Sequence, residues 1–194
     1  MPGSARRPGL PPVRPAENAA GRLQGQTDIP LNDVGRGQAQ RNGMRLRGEL
    51  ARPEVFDFVA SPLSRAYETM QLLRLGMGLP REGFATDDRL KEISYGIFEG
   101  CTWPQLPPID SAGIARSKDA FNWRPDRGES YADLTDRTRS WLDGIVRDTV
   151  VATHGGITRT LRGIAVGIPT EKVPTLKVPQ DRVLVLRKGE MGWL

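Results

Sequence analysis

The chain has 194 residues, 38% of them hydrophobic and 26% charged, a formal net charge of +5 and a pI near 9.8. That is one domain able to bury its own core, not a disordered tail. No run approaches the roughly 18 apolar residues of a membrane span, and the basic N-terminus lacks the apolar stretch of a secretory signal. The elements follow in chain order.

Residues 1–15, rich in proline, glycine and arginine, show no helical or strand period and read as a poorly ordered segment before a domain spanning 16–194. Asn32-Asp33 can cap a helix that runs to about Ala51, polar and arginine-rich, with glycines that weaken it. Val55-Phe-Asp-Phe-Val-Ala60 reads as a short buried strand. Ser61-Pro62 then opens a helix with a hydroxyl cap and a proline in the first turn, and its inward face is Leu63, Ala66, Tyr67, Met70 and Leu73. Gly76 to Pro80 ends it, and Arg81 to Pro108 is mostly loop.

Tyr131, Leu134, Thr138, Trp141, Leu142 and Ile145 mark the next amphipathic helix. Asp148-Thr-Val-Val-Ala-Thr153 is a second buried strand, which leads through His154-Gly-Gly156 into a helix carrying Ile157, Leu161, Ile164 and Ala165. Arg182-Val-Leu-Val-Leu-Arg187 is a third strand. Strands alternating with helices imply a three-layer α/β/α sandwich with a largely parallel sheet.

Of the 28 basic residues 23 are arginine, scattered along the chain. They form no dense run with stacking aromatics, so nucleic acid is not the expected partner. A small anionic substrate fits better, because the guanidinium fork matches phosphate oxygens. One cysteine, Cys101, excludes an internal disulfide and suits a reducing cytoplasm, the expected location. It does not begin a cysteine-phosphatase loop, since the position six residues on is Pro107. One histidine and one cysteine cannot assemble a zinc site of the usual kind, and no cofactor is expected.

In open α/β sheets ligands sit beyond the C-terminal ends of the strands. Two segments deliver polar groups there: Ser61-Pro-Leu-Ser-Arg65, with Arg65 in the first turn of a helix, and His154, just ahead of another. Helix N-termini attract anions. Alone, Arg65 reads first as a surface arginine, and His154 reads as readily as a hydrogen-bonded structural histidine; their parallel placement after two strands points to a phosphate pocket.

Four stretches carry a family resemblance: Asn18 to Leu31, Ala60-Ser-Pro-Leu-Ser-Arg-Ala-Tyr-Glu-Thr69, Leu90-Lys-Glu-Ile-Ser-Tyr-Gly-Ile-Phe-Glu-Gly100 and Val150 to Arg159, with Gly128-Glu-Ser130 between the last two. In this order they resemble the histidine phosphatases, the superfamily that includes phosphoglycerate mutases. The resemblance implies a phosphomonoester hydrolase acting on a small phosphorylated substrate. Arg65 would hold the phosphoryl oxygens bidentately, His154 would hydrogen-bond them, and Asn18 would add an amide contact. Glu92 would protonate the leaving oxygen and then activate water. Glu99 would share that role or simply cap the loop. Arg22, as a further phosphate contact, and Gln24 would line the entrance, although a solvated loop explains both as well. Oligomeric state is left open, a homodimer included. A mutase fits less well, for want of the long insert such enzymes carry between the Glu and second-histidine motifs.

The family begins with an apolar strand and R-H-G-E-T, whose histidine attacks phosphorus. Here the sole histidine is His154. Counting back from Asn18 puts the nucleophile position on Pro12, or on Pro15 if three residues are deleted. The prolines before Ala16 also forbid a central strand, so the first strand is expected to be absent. Two accounts stand: an N-terminus from a wrong reading frame joined to an ordinary phosphatase, which the abrupt loss favours, or a pseudoenzyme that binds phospholigands without turnover.

Overall fold

A computed structural model describes residues 21–187 and 190–194. The proline-rich segment, and Asn18 with it, lie outside them.

Helix α1 (Asp33–Glu49) starts as the sequence dictates, with the Asn32 side chain accepting the Gly35 N–H. After a 3₁₀ turn at Pro53–Val55 comes strand β1 (Asp57–Ala60), shorter than the apolar run because that turn takes its first residue. Helix α2 (Ser64–Gly76) begins two residues later than the Ser61-Pro62 signal implies, with Leu63 rather than Ser61 at the cap position. The Ser61 hydroxyl caps no helical N–H and takes a long 3.3 Å bond from the Leu63 N–H. The Ser64 N–H and hydroxyl are instead taken, each at 2.8 Å, by Asp28, a carboxylate 36 residues earlier. On α2, Leu63, Ala66, Met70 and Leu73 are buried as the spacing predicts, whereas Tyr67 is half-buried and reaches out to Glu82.

The long loop contains a two-residue strand, β2 (Ala85–Thr86), and 3₁₀ turns at Asp88–Leu90, Gly96–Phe98 and Trp103–Gln105. Helix α3 (Tyr131–Leu142) is capped reciprocally by Ser130 and Asp133 and stops before Gly144, so Ile145 lies beyond it. Strand β3 (Thr149–Ala152) leads into α4 (Gly155–Val166).

Strands β2, β1 and β3 form one parallel sheet in that order. Alternation along the strands divides its faces. Phe58, Ala60, Val150 and Ala152 pack with Leu46 of α1 and Met70 and Leu73 of α2. Val59 and Val151 meet Leu134 and Trp141 of α3 and Ile157 and Leu161 of α4 on the other side. The architecture is therefore the three-layer α/β/α sandwich with a parallel sheet. The C-terminal strand departs from expectation. β4 (Leu184–Arg187) pairs antiparallel with β5 (Glu190–Trp193) as a separate two-stranded unit. Among the described residues, the outer edge of β3 has no strand partner.

Candidate active site

Register brings the site together. Ala60 pairs with Thr86 on one side and Ala152 on the other, so all three strands end level. The Ser61 N–H bonds the Ala152 carbonyl at 2.9 Å, and the Asp87 N–H bonds that of Ala60 at 3.0 Å. Ser61, Asp87 and Thr153 thus leave the sheet side by side, and Arg65, Glu92 and His154 follow within five residues of them.

Arg65 is buried in the first turn of α2. Its two terminal nitrogens donate to the carbonyls of Gly25 (2.8 Å) and Thr27 (2.9 Å), which leaves other N–H groups of its five for a ligand. Burial holds this guanidinium below its ordinary value, against the opposing fields of Glu92, Asp28 and Glu99. His154 precedes α4, also buried, with Nε2 2.8 Å from the Ser61 hydroxyl. Burial first, then the charges of Arg65 and Arg137, push its pKa well below 6.5, so the imidazole is neutral at pH 7.

Glu92 reaches the same place from the loop after β2. Its Oε1 accepts the N–H groups of Gly156, in the first turn of α4, and of Ile93, both at 2.9 Å. A Cβ on Gly156 would stand 2.3 Å from that oxygen, so the glycine is what admits the carboxylate. The loop is tied down by Thr153 Oγ1 bonding the Leu90 carbonyl and by Arg137. Arg137 donates to the carbonyls of Arg89, Lys91 and Glu92 and is itself fixed by Glu129 at 2.8 Å.

Both helix N-termini that the sequence offered to phosphate already carry a protein carboxylate, Asp28 at α2 and Glu92 at α4. An anion here would be held chiefly by side chains. Glu99 braces the loop: its carboxylate accepts the N–H groups of Gln26 (2.9 Å) and Thr27 (2.8 Å) and the Thr27 hydroxyl, fixing the turn whose carbonyls position Arg65. Arg22 is exposed and donates to the Gly100 carbonyl at 2.8 Å. Gln24 is buried, with Nε2 unpaired among the described residues. Asn18 lies outside the described residues. Sequence reasoning missed Asp28 and Arg137. Asp28 sits within the first resembling stretch, but nothing in the sequence places it beside Ser64 or Arg137 beside the 89–92 carbonyls.

Among the described residues no group of three or more His, Cys, Asp or Glu could hold a metal ion, and no helix is long and apolar enough to cross a membrane.

The family model described as histidine phosphatase superfamily (branch 1) matches residues 14–194. The chain is 30% identical over 171 residues to glucosyl-3-phosphoglycerate phosphatase of Mycolicibacterium vanbaalenii, covering 82% of this chain and 73% of the relative. It is 35% identical over 151 residues to phosphoglycerate mutase-like protein 4 of Arabidopsis thaliana, covering 74% and 64%. Among solved structures, a mycobacterial glucosyl-3-phosphoglycerate phosphatase complexed with VO3 superposes with a TM-score of 0.67 at 28% identity, over 86% of this chain and 84% of that one. TTHB049 from Thermus thermophilus superposes with a TM-score of 0.66 at 29% identity, over 88% and 86%.

Proposed function

The chain belongs to the histidine phosphatase superfamily, and from that premise we propose that it binds small phosphomonoesters with Arg65 and His154 around the phosphoryl group and Glu92 beside the leaving oxygen. The observation that carries this reading is the level ending of three parallel strands, which gathers those three side chains at one sheet edge. Phosphoryl transfer asks mainly for positioning and for charge placed where the transition state develops it. A buried arginine supplies charge, and a neutral imidazole supplies a hydrogen bond without competing for a proton. With Oε1 of Glu92 accepting two backbone N–H groups, Oε2 is the oxygen left to carry a proton to the leaving group and take one from water.

The resemblance assigns attack on phosphorus to a second histidine, and this sequence has one. As written, the chain is a phosphatase by lineage with impaired turnover. Its single histidine also favours the second reading, a phospholigand-binding protein without catalysis. Isothermal calorimetry with inorganic phosphate or vanadate tests the site itself. Arg65→Ala should weaken binding roughly tenfold or more, the scale of lost charged hydrogen bonds. Equal binding by parent and variant would refute the site. Hydrolysis of p-nitrophenyl phosphate should not rise above a mock preparation, and turnover that disappears in His154→Ala would refute the impairment.

A further inference from the structure

Next to Glu92 lies a recess that this chemistry does not use. It is a cavity of about 50 Å³ walled by Tyr95, Trp103, Arg116, Trp123 and Tyr131, with Glu129 at its side. Tyr95 meets Trp103 edge-on at 5.6 Å, and the Arg116 guanidinium stands 5.9 Å from the Trp103 ring and 5.8 Å from that of Trp123. Arg116 NH1 is anchored on the Trp103 carbonyl at 3.0 Å. Trp123 is only 5% exposed, yet its indole N–H has no hydrogen-bond partner among the described residues. A buried donor without a partner is costly and uncommon, and an indole can only donate, so the missing group is an acceptor. The wall's own carboxylate does not serve. Glu129 accepts from Arg137 through both oxygens and from the Ser94 N–H.

The recess adjoins the proposed site. Ile93, on its wall, follows Glu92. Burial chiefly, with a contribution from the Glu92 charge, raises the hydroxyl pKa of both Tyr95 and Tyr131.

We propose that this recess reads the leaving group of the phosphomonoester, with the Trp123 indole N–H donating to an acceptor oxygen on that group and Arg116 alongside. The inference rests on the reading of Arg65, His154 and Glu92 as the phosphoryl site. The volume admits a few heavy atoms, such as a carboxylate or a hydroxymethyl tip, rather than a whole sugar.

The test is nuclear magnetic resonance of the indole N–H groups in the ¹⁵N-labelled protein. Its four tryptophans give four resonances, and Trp123→Phe identifies one by its loss. The unlabelled probes are inorganic phosphate, glycerol 3-phosphate and 3-phosphoglycerate. The esters should move the Trp123 resonance and phosphate should not. Trp123→Phe should lower ester affinity roughly tenfold while leaving phosphate affinity unchanged. A larger shift with 3-phosphoglycerate assigns the acceptor as a carboxylate, and a larger one with glycerol 3-phosphate assigns a hydroxyl. A resonance unmoved by either ester, while phosphate still binds, would overturn the inference and leave a recess holding water only. Absence of phosphate binding would remove the site reading and this inference together. Should Trp123→Phe not fold, through-space contacts to Tyr95 and Arg116 assign the resonance, and the shift in the unaltered protein decides.

Discussion

Burial, with the charges of Arg65 and Arg137 added to it, fixes which form His154 takes once folded. Its folded pKa lies well below 6.5, from burial and then from Arg65 and Arg137, whereas an unfolded histidine titrates near 6.5. Below that pH the unfolded chain takes up a proton that the folded chain refuses. Stability is therefore fully present above about pH 6.5 and is lost as pH falls toward the folded pKa, by up to about 1.4 kcal/mol per pH unit. Urea denaturation between pH 7 and pH 5 should show His154→Gln losing less stability than the parent over that range. Parallel profiles would mean the imidazole is not held neutral. Arg65, Glu92 and His154 were legible because each stands in a short motif with fixed spacing to its neighbours. The role of Glu99 was half legible: the motif named the residue, but only the fold shows its carboxylate on the backbone of Gln26 and Thr27. Arg137 left no trace in the sequence, because a half-buried arginine on an amphipathic helix looks like any other until the loop it clamps is in place.

Among the elements, α1 is the weakest by composition, and the structure gives a reason for one of its glycines. A Cβ on Gly43 would lie 2.3 Å from the Leu73 carbonyl and 2.9 Å from the Cα of Gly76, while a Cβ on Gly76 would lie 2.6 Å from the Gln40 carbonyl. The two helices touch backbone to backbone there, so local propensity gives way to packing. A Cβ on Gly48, near the exposed end of the same helix, would meet nothing within 4 Å among the described residues. The two positions should respond with opposite signs. Gly43→Ala should destabilise by about 1–3 kcal/mol, as overpacking does, and Gly48→Ala should stabilise by up to about 1 kcal/mol through helix propensity. Thermal unfolding of both variants checks this, and a neutral Gly43→Ala would show that the helices can separate without cost. Helices α2, α3 and α4 and strands β1 and β3 could be read from their apolar periods. The β4–β5 pairing could not, since Glu190-Met-Gly-Trp193 combines charge and glycine with a length that carries little strand signal.

At the scale of the whole molecule the arginine surplus has a use that composition could not reveal. Besides Arg65 and Arg137, Arg74 holds the Pro80 and Glu82 carbonyls, Arg159 that of Leu176 and Arg162 that of Lys177. Much of the positive charge ties loops to helices, and less of it than the pI suggests faces a ligand. The sandwich itself was legible from the alternation of strands and helices, but strand order was not, because periodicity says which face is buried and not which strand lies alongside. That order leaves the outer edge of β3 without a strand partner among the described residues, with Val150 and Val151 half-buried. An unpaired edge strand leaves backbone donors and acceptors to water and apolar side chains partly wet. The family's opening motif supplies both a strand and a nucleophile, so one change tests both. An apolar strand written before R-H-G-E-T, with that motif at positions 11 to 15, keeps the seven-residue step from its arginine to Asn18. We expect the resulting protein to unfold at higher temperature than the parent, as apolar surface is buried at about 25 cal/mol for each Å². It should also hydrolyse p-nitrophenyl phosphate, which the parent is expected not to do. Glu92→Gln in that background should slow turnover by about 10²-fold or more through loss of the proton donor, and Arg65→Ala should raise KM through loss of phosphate binding. If the restored protein binds phosphate but still fails to turn over, the defect lies in the Arg65, Glu92 and His154 constellation rather than in the missing nucleophile, and the chain is a binding protein by the make-up of its site.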